Sequence, residues 1–232
     1  MGGSILKKTQ DAEEKTVKYD GALFDMDGTV LDTLADLYHA VNYTLEHFGL
    51  PLVDRQQVRA ALGNGAGNLI RSCMPADIAD RMWEEGLAYY RPYYAAHCRI
   101  ETQPYEGILA LMERLKAAGV KLAVVSNKPD GAVKELAEVF FPGLLTEAIG
   151  ERPGVPRKPD PASVLEGARR LGLEPSQCVY IGDSEVDVKT AKNAGMDGIA
   201  VTWGFRDEPE LIAAGAEVLA HHARELEQLL LG

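Results

Sequence analysis

Cysteine and basic charge are both scarce in this chain of 232 residues, and each scarcity removes a class of protein. Three cysteines, Cys73, Cys98 and Cys178, are too few and too scattered for a disulfide framework or a zinc site with paired ligand spacing. They fit a reduced compartment. Lys and Arg number 24 against 35 Asp and Glu, a formal net charge of -11. Nucleic-acid binding rests on clustered cations that displace counterions, and no basic stripe is visible. No stretch nears the roughly 18 uninterrupted apolar residues of a membrane span. The opening residues 1–18, MGGSILKKTQDAEEKTVK, lack the apolar run of a secretory signal and carry Leu6 where a myristoylation pattern needs Ser or Thr. They read as a polar leader, and the expectation is a cytoplasmic protein without a nucleic-acid or membrane partner.

Short apolar runs of strand length are what the chain does have, at residues 21–25, 120–126, 144–150, 178–183, 198–203 and 217–220. Helical patterns lie between most of them. In residues 106–119 Ile108, Leu111, Met112 and Leu115 recur at helical spacing before Gly119, and residues 160–172 do the same before Gly172. Such alternation predicts a doubly wound α/β fold with a parallel sheet covered on both faces. One connection breaks the rhythm. Between Asp25 and Val120 lie 94 residues, where a crossover needs about a dozen. The surplus carries four helical segments, at 33–49, 54–62, 67–74 and 76–97. An all-helical insert in a parallel-sheet domain is most simply a lid, so the expected organisation is a helical cap at 33–100 and a core made of 19–32 and 101–232. Trp83 and the tyrosines 89, 90, 93 and 94 form an aromatic stem in the longest segment, for which packing is the default role.

The first strand ends in FDMDGTVL, two aspartates one residue apart. Side chains at i and i+2 of a strand share a face, so Asp25 and Asp27 aim like charges into one space unless a cation sits there. Further polar groups follow later strands: Ser126-Asn127, then Lys158 in RKPDP, then Asp183 and Asp187 in GDSEVD. In open α/β sheets ligands bind beyond the carboxyl ends of the strands, where strand order reverses. If the strand order is 3-2-1-4-5, the first and fourth strands are neighbours there, and Asp25, Asp27, Asp183 and Asp187 converge on one crevice. Clustered carboxylates without His or Cys suit a hard cation, and Mg2+ takes one or two carboxylates plus water and substrate phosphate. A phosphate dianion then needs further donors, for which Ser126, Asn127, Thr29 and the amides around Gly28 are candidates.

Taken in order, DMDGT, VVSN, the RKPDP lysine and GDSEVD resemble the four motifs of the haloacid dehalogenase superfamily, and the long helical insert resembles its helical cap type. The resemblance extends over residues 19–231 and is nearest to the phosphoglycolate phosphatase group, through ALFDMDGTVLDTLADLYHAVNYTLEHFGL and ALGNGAGNLIR. It implies a Rossmannoid core with strand order 5-4-1-2-3 and a phosphatase working through an aspartyl-phosphate. In that scheme Asp25 attacks phosphorus, and Asp27 protonates the leaving oxygen and then activates water. Asp25, Asp183 and the Asp27 main-chain carbonyl hold Mg2+, with Asp187 behind them, while Lys158 and Ser126 bind phosphoryl oxygens. An acid at position 27 favours a phosphate ester or anhydride over a haloacid or phosphonate. The implied substrate is a small phosphomonoester, foremost 2-phosphoglycolate; a pyrophosphatase, a nucleotidase, a sugar-phosphate phosphatase and a phosphomutase remain open. A phospho-accepting receiver domain is the distant alternative, disfavoured because it needs no lid.

In the insert, Gly63, Asn64 and Gly65 precede a short helical pattern, and Arg71 lies one turn into it. Amides at a helix start receive anions, so this loop with Arg71 is expected to take the substrate carboxylate. Plainer roles compete at several positions. Asp-Gly is a common turn pair, Asp183 is a possible helix N-cap with Asp187 in the first turn, and Ser-Asn is ordinary between a strand and a helix. Oligomeric state, monomer or homodimer, is not written in any motif.

Overall fold

The computed structural model describes residues 17–232, so the expected leader lies almost wholly outside the described residues. Six strands form the main sheet: β1 (Gly21–Phe24), β4 (Lys121–Pro129), β5 (Glu147–Glu151), β6 (Cys178–Gly182), β7 (Asp197–Val201) and β8 (Leu219–Ala220). Their order is β5-β4-β1-β6-β7-β8, all parallel. This is the expected order with the last short strand added beyond β7. A small antiparallel pair that the sequence did not reveal, β2 (Leu31–Asp32) with β3 (Gln103–Pro104), ties together the two chain passages that leave and re-enter the core.

All four residues of β1 are buried, as expected of a central strand covered on both faces. The alternation of side chains sorts them into two apolar layers. Ala22, Phe24, Leu122, Val124, Val179 and Ile181 face one cluster, and Leu23, Ala123, Val125 and Tyr180 face the other. Helices α5 (Ile108–Ala117) and α10 (Ala223–Leu231) cover the first side, and α7 (Ala162–Leu171) and α8 (Glu185–Ala194) the second. The apolar stripe predicted for α5 is buried as read: Ile108, Leu111, Met112 and Leu115. Truncating one such leucine to alanine costs about 2–5 kcal/mol.

The insert contains four helices, α1 (Leu34–His47), α2 (Arg55–Ala61), α3 (Gly65–Cys73) and α4 (Ala76–His97). Its apolar residues, among them Leu45, Ile70, Leu87 and Tyr90, are continuous with the first cluster of the sheet. The helical layer therefore shares its core with the sheet and sits over the strand ends. Two more helices complete the chain, α6 (Asp130–Phe140) after β4 and α9 (Glu208–Ala213) after β7. No described helix is long and apolar enough to cross a membrane.

Candidate active site

The crevice forms where β1, β4 and β6 end. Asp25 follows β1 directly, and its amide donates to the Ile181 carbonyl at 2.8 Å, which fixes its position against β6. Asp25, Asp183 and Asp187 are all buried, and each offers one carboxylate oxygen within 4.8 Å of the others. Like charges this close raise one another's proton affinity. Burial pushes the Asp25 carboxyl up to about 6, with Lys158 pulling the other way. Burial also pushes Asp183 well above the carboxylate range, and the charges of Asp187 and Asp25 add to it.

Lys158 is the cation inside this cluster. Its Nζ lies 2.8 Å from Asp187 Oδ1 and 3.0 Å from Asp25 Oδ1, and donates to the Tyr180 hydroxyl at 2.7 Å. Burial works against its charge, yet Asp187 and Asp25 push its titration well above the lysine range. The Lys158–Asp25 contact lacks hydrogen-bond geometry, so Asp25 Oδ1 is a buried oxygen without a hydrogen-bond donor. An all-oxygen triad with one donor-free oxygen fits a divalent cation.

The three acids are not equivalent. Asp187 is saturated: Oδ1 accepts from Lys158 and Tyr180, and Oδ2 from the amide and hydroxyl of Ser184. It therefore suits a supporting place behind Asp25 and Asp183. Asp183 accepts from the Thr29 hydroxyl at 2.8 Å and the Phe205 amide at 2.7 Å. The N-cap of α8 is Ser184, not Asp183, because Asp183 is drawn into the crevice one residue earlier. Close backbone packing holds it there. A Cβ on Gly28 would come within 2.3 Å of Asp183 Oδ2, and one on Gly204 within 2.3 Å of Asp183 Cβ.

Asp27 departs from the triad. Its Oδ1 accepts from Lys128 Nζ at 2.6 Å, and Lys128 in turn donates to the Tyr94 hydroxyl. Burial, then the charge of Asp27, pushes Tyr94 well above its ordinary range, so its hydroxyl stays protonated. Lys128 escaped the sequence reading, which ended the strand at Ser126. β4 runs on to Pro129 through an irregular stretch after Val125, and Ser126, Asn127 and Lys128 all line the crevice.

The remaining expectations divide. Asp25, Asp27, Ser126, Asn127, Gly63, Gly65 and Asp183 all line one small cavity, together with Tyr90, Tyr94, Lys128 and Arg206. Its volume of about 50 Å³ holds three or four water molecules. Asn127 spends its amide on framework: Nδ2 donates to the Gly63 and Lys158 carbonyls, and Oδ1 accepts from the Lys158 amide. Thr29 is likewise committed to Asp183 rather than to the cavity. Asn64 precedes α3 without a capping hydrogen bond and does not line the cavity. Arg71 is the clearest departure: its guanidinium is exposed, pairs with Asp80 at 2.6 Å and stays outside the cavity. In a helix starting at Gly65 it points away from the glycine loop.

Arg206 was also missed in the sequence. Its guanidinium, side chain 9% exposed, pairs with Glu185 and donates to the Arg59 and Leu62 carbonyls. It binds the α2–α3 connection to the crevice rim, and Arg59 adds a bond to the Gly204 carbonyl. The insert thus closes over the strand ends through polar contacts as well as apolar ones.

An acidic triad that could hold a divalent cation meets a buried lysine at the carboxyl ends of a doubly wound sheet, beneath the helical insert. The model of the haloacid dehalogenase-like hydrolases matches residues 22–201, and the chain belongs to that family. It is 34% identical over 195 residues to a phosphoglycolate phosphatase of Rhodospirillum rubrum, covering 81% of each chain. It is 31% identical over 218 residues to an N-acetylmuramic acid 6-phosphate phosphatase of Pseudomonas aeruginosa, covering 93% of this chain and 96% of the relative. A crystal structure from Lactobacillus delbrueckii subsp. bulgaricus, provisionally named phosphoglycolate phosphatase, superposes with a TM-score of 0.89 at 42% identity, covering 93% of this chain and all of the other. The chain is an enzyme of this family's phosphatase type.

Proposed function

We propose that the chain is a Mg2+-dependent phosphatase that hydrolyses 2-phosphoglycolate through a phosphorylated Asp25. The observation that carries this is the convergence of Asp25, Asp183 and Asp187 on Lys158 beside the cavity at the strand ends. The substrate assignment is supported by the 34% identity to the phosphoglycolate phosphatase of Rhodospirillum rubrum. The cap at 33–100 and the core at 19–32 and 101–232 are the working units, and the site lies between them.

Asp25 and Asp183, with the Asp27 carbonyl, would hold Mg2+, which supplies charge neutralisation to the phosphoryl oxygens. Asp25, buried and beside Lys158, attacks phosphorus in line. Lys158 meets the equatorial oxygens and Ser126, whose hydroxyl lines the cavity, donates to another. Asp27 gives a proton to the leaving oxygen and then takes one from the water that cleaves the acyl phosphate. Asp187 orients Lys158, and Thr29 orients Asp183. Gly28 keeps the backbone close to the acids. The Gly63–Gly65 loop, held by Asn127, closes the cavity against water. A small phosphate ester is the partner this site calls for.

Phosphate release from a panel of esters, pyrophosphate and nucleotides, with Mg2+ and with chelator, tests the reading. Mg2+-dependent release with 2-phosphoglycolate as the best substrate is expected. Faster turnover of pyrophosphate or a nucleotide would overturn the substrate assignment.

A further inference from the structure

Lys128 brings a buried ammonium to the meeting line of core and insert, its side chain 2% exposed. Two of its contacts are the Asp27 carboxylate and the hydroxyl of Tyr94 on α4, over whose ring it lies at 4.7 Å from the centroid. An ammonium has three N–H donors. Among the described residues the third has no acceptor, and the Tyr94 hydroxyl, which accepts from Lys128, has no acceptor for its own proton. Both groups line the cavity.

The other cation on the cavity is Arg206, and it is occupied by Glu185 and the carbonyls of Arg59 and Leu62. Lys158 hydrogen-bonds Asp187 and Tyr180, faces Asp25, and in the proposed mechanism keeps its third N–H for the phosphoryl group. Leu37, Leu69 and Tyr90 contribute an apolar wall to the same cavity. An anion placed against that wall would be costly unless a cation met it. Position decides what kind of anion fits. Asp27 serves the bridging oxygen of the ester, and Lys128 adjoins Asp27 at 2.6 Å. A carboxylate two bonds beyond the bridging oxygen falls within reach of that ammonium.

We propose that Lys128 and Tyr94 form the receptor for a carboxylate on the leaving group, which makes Lys128 the specificity-determining residue for short phosphorylated 2-hydroxy acids. The assignment rests on the phosphatase reading above, and it replaces the glycine loop with Arg71 as the carboxylate site. One N–H of Lys128 and the hydroxyl of Tyr94 meet the two carboxylate oxygens, while Asp27 keeps its own bond to the ammonium.

The test compares a pair of non-hydrolysable ligands, 3-phosphonopropionate and propylphosphonate, which differ in the carboxylate. Their affinities are measured by calorimetry with Mg2+ on the full chain, on Lys128→Met, Lys128→Arg and Tyr94→Phe. Wild type should prefer the carboxylate analogue by at least ~30-fold. Lys128→Met should shrink that preference to within about 3-fold, Lys128→Arg should retain part of it, and Tyr94→Phe should lower it by roughly 3- to 10-fold. The ratio kcat/KM for 2-phosphoglycolate over 2-hydroxyethyl phosphate should collapse in parallel. Equal affinity of wild type for both analogues overturns the proposal. So does an equal loss for both in Lys128→Met, which would make the ammonium only a support for Asp27. Should Lys128→Met fail to fold, an unchanged preference in Tyr94→Phe overturns it instead. Failure of the parent reading looks different: no ester of the panel releases phosphate with Mg2+, whatever the analogue affinities.

Discussion

Asp27 Oδ1 and Lys128 Nζ stand 2.6 Å apart, joining the turn after the first strand to the end of β4 across 101 positions of sequence. The carboxylate assigned to proton transfer is thereby held apart from the triad that gathers around Lys158. In the proposed mechanism nucleophile and acid each have their own lysine. That separation lets one carboxylate act as nucleophile while its neighbour two residues away handles protons.

The division of labour is testable through the leaving group. Asp27→Asn should slow hydrolysis of alkyl phosphates by about 10²–10⁴-fold. A good leaving group such as p-nitrophenolate needs no proton, so its release should persist as a single burst while the phosphoryl group stays on Asp25. Mass spectrometry of acid-quenched peptide reads this directly. Equal loss of burst and turnover would argue that Asp27 serves structure instead.

Asp25 should be a source of instability in the metal-free protein. Its folded carboxyl titrates at about 6 because of burial, whereas an unfolded Asp titrates near ~3.9. The folded chain therefore binds this proton more tightly. Stability should fall as pH rises from about 4 to about 6 and then level, a loss of about 3 kcal/mol. Asp25→Asn escapes the loss. In urea melts with chelator near ~pH 7.5 it should be the more stable protein, by up to about 3 kcal/mol, with the gap narrowing toward ~pH 4. A less stable mutant at neutral pH would contradict this origin of the strain.

Close packing around Asp183 predicts a metal-affinity defect from a remote methyl group. In Gly204→Ala the new Cβ would meet the Gly28 carbonyl at 2.4 Å as well as Asp183, and Asp183 has to move. Divalent-cation affinity should fall by at least ~10-fold, as for residues that support metal ligands. Trp203, whose indole donates to the Thr29 carbonyl at 3.0 Å, offers a fluorescence signal for the titration. Unchanged affinity would show that the acidic cluster tolerates displacement.

Arg71→Ala should leave the kinetics nearly untouched. Its partner Asp80 is exposed at the side chain by 71%, and such a pair contributes at most about 1 kcal/mol. Values of kcat/KM within about 3-fold of wild type are expected. A loss concentrated in KM would restore the loop-and-arginine reading of the carboxylate site.

The core of the site was legible because strand ends and carboxylates carry their meaning locally. Asp25, Asp183 and Asp187 follow the ends of buried apolar strands that pair in parallel as β1 with β6, and Lys158 reaches them from the loop after β5, which pairs with β4. What stayed hidden depends on where a segment stops or how two layers meet. Lys128 was lost because β4 continues three residues past the apolar run. Arg206 lies in a loop after β7, and its acceptors are main-chain carbonyls of the insert, which leave no mark in side-chain identity. Tyr94 carried a visible stripe, but the same spacing serves packing, and Tyr90 stacks on it at 5.3 Å. Arg71 misled for the converse reason: a cation one turn past a glycine loop looks anion-binding until the helix start fixes its direction.

The most direct test of the account is to mix the enzyme with 2-phosphoglycolate and Mg2+, quench in acid within milliseconds, and search the peptide containing Asp25 for an added phosphoryl group while phosphate release is followed. The account predicts a phosphorylated Asp25 that forms and decays fast enough to carry turnover, and that disappears with chelator and in Asp25→Asn. Phosphate release that persists in Asp25→Asn, or that proceeds at full rate in chelator, would contradict it.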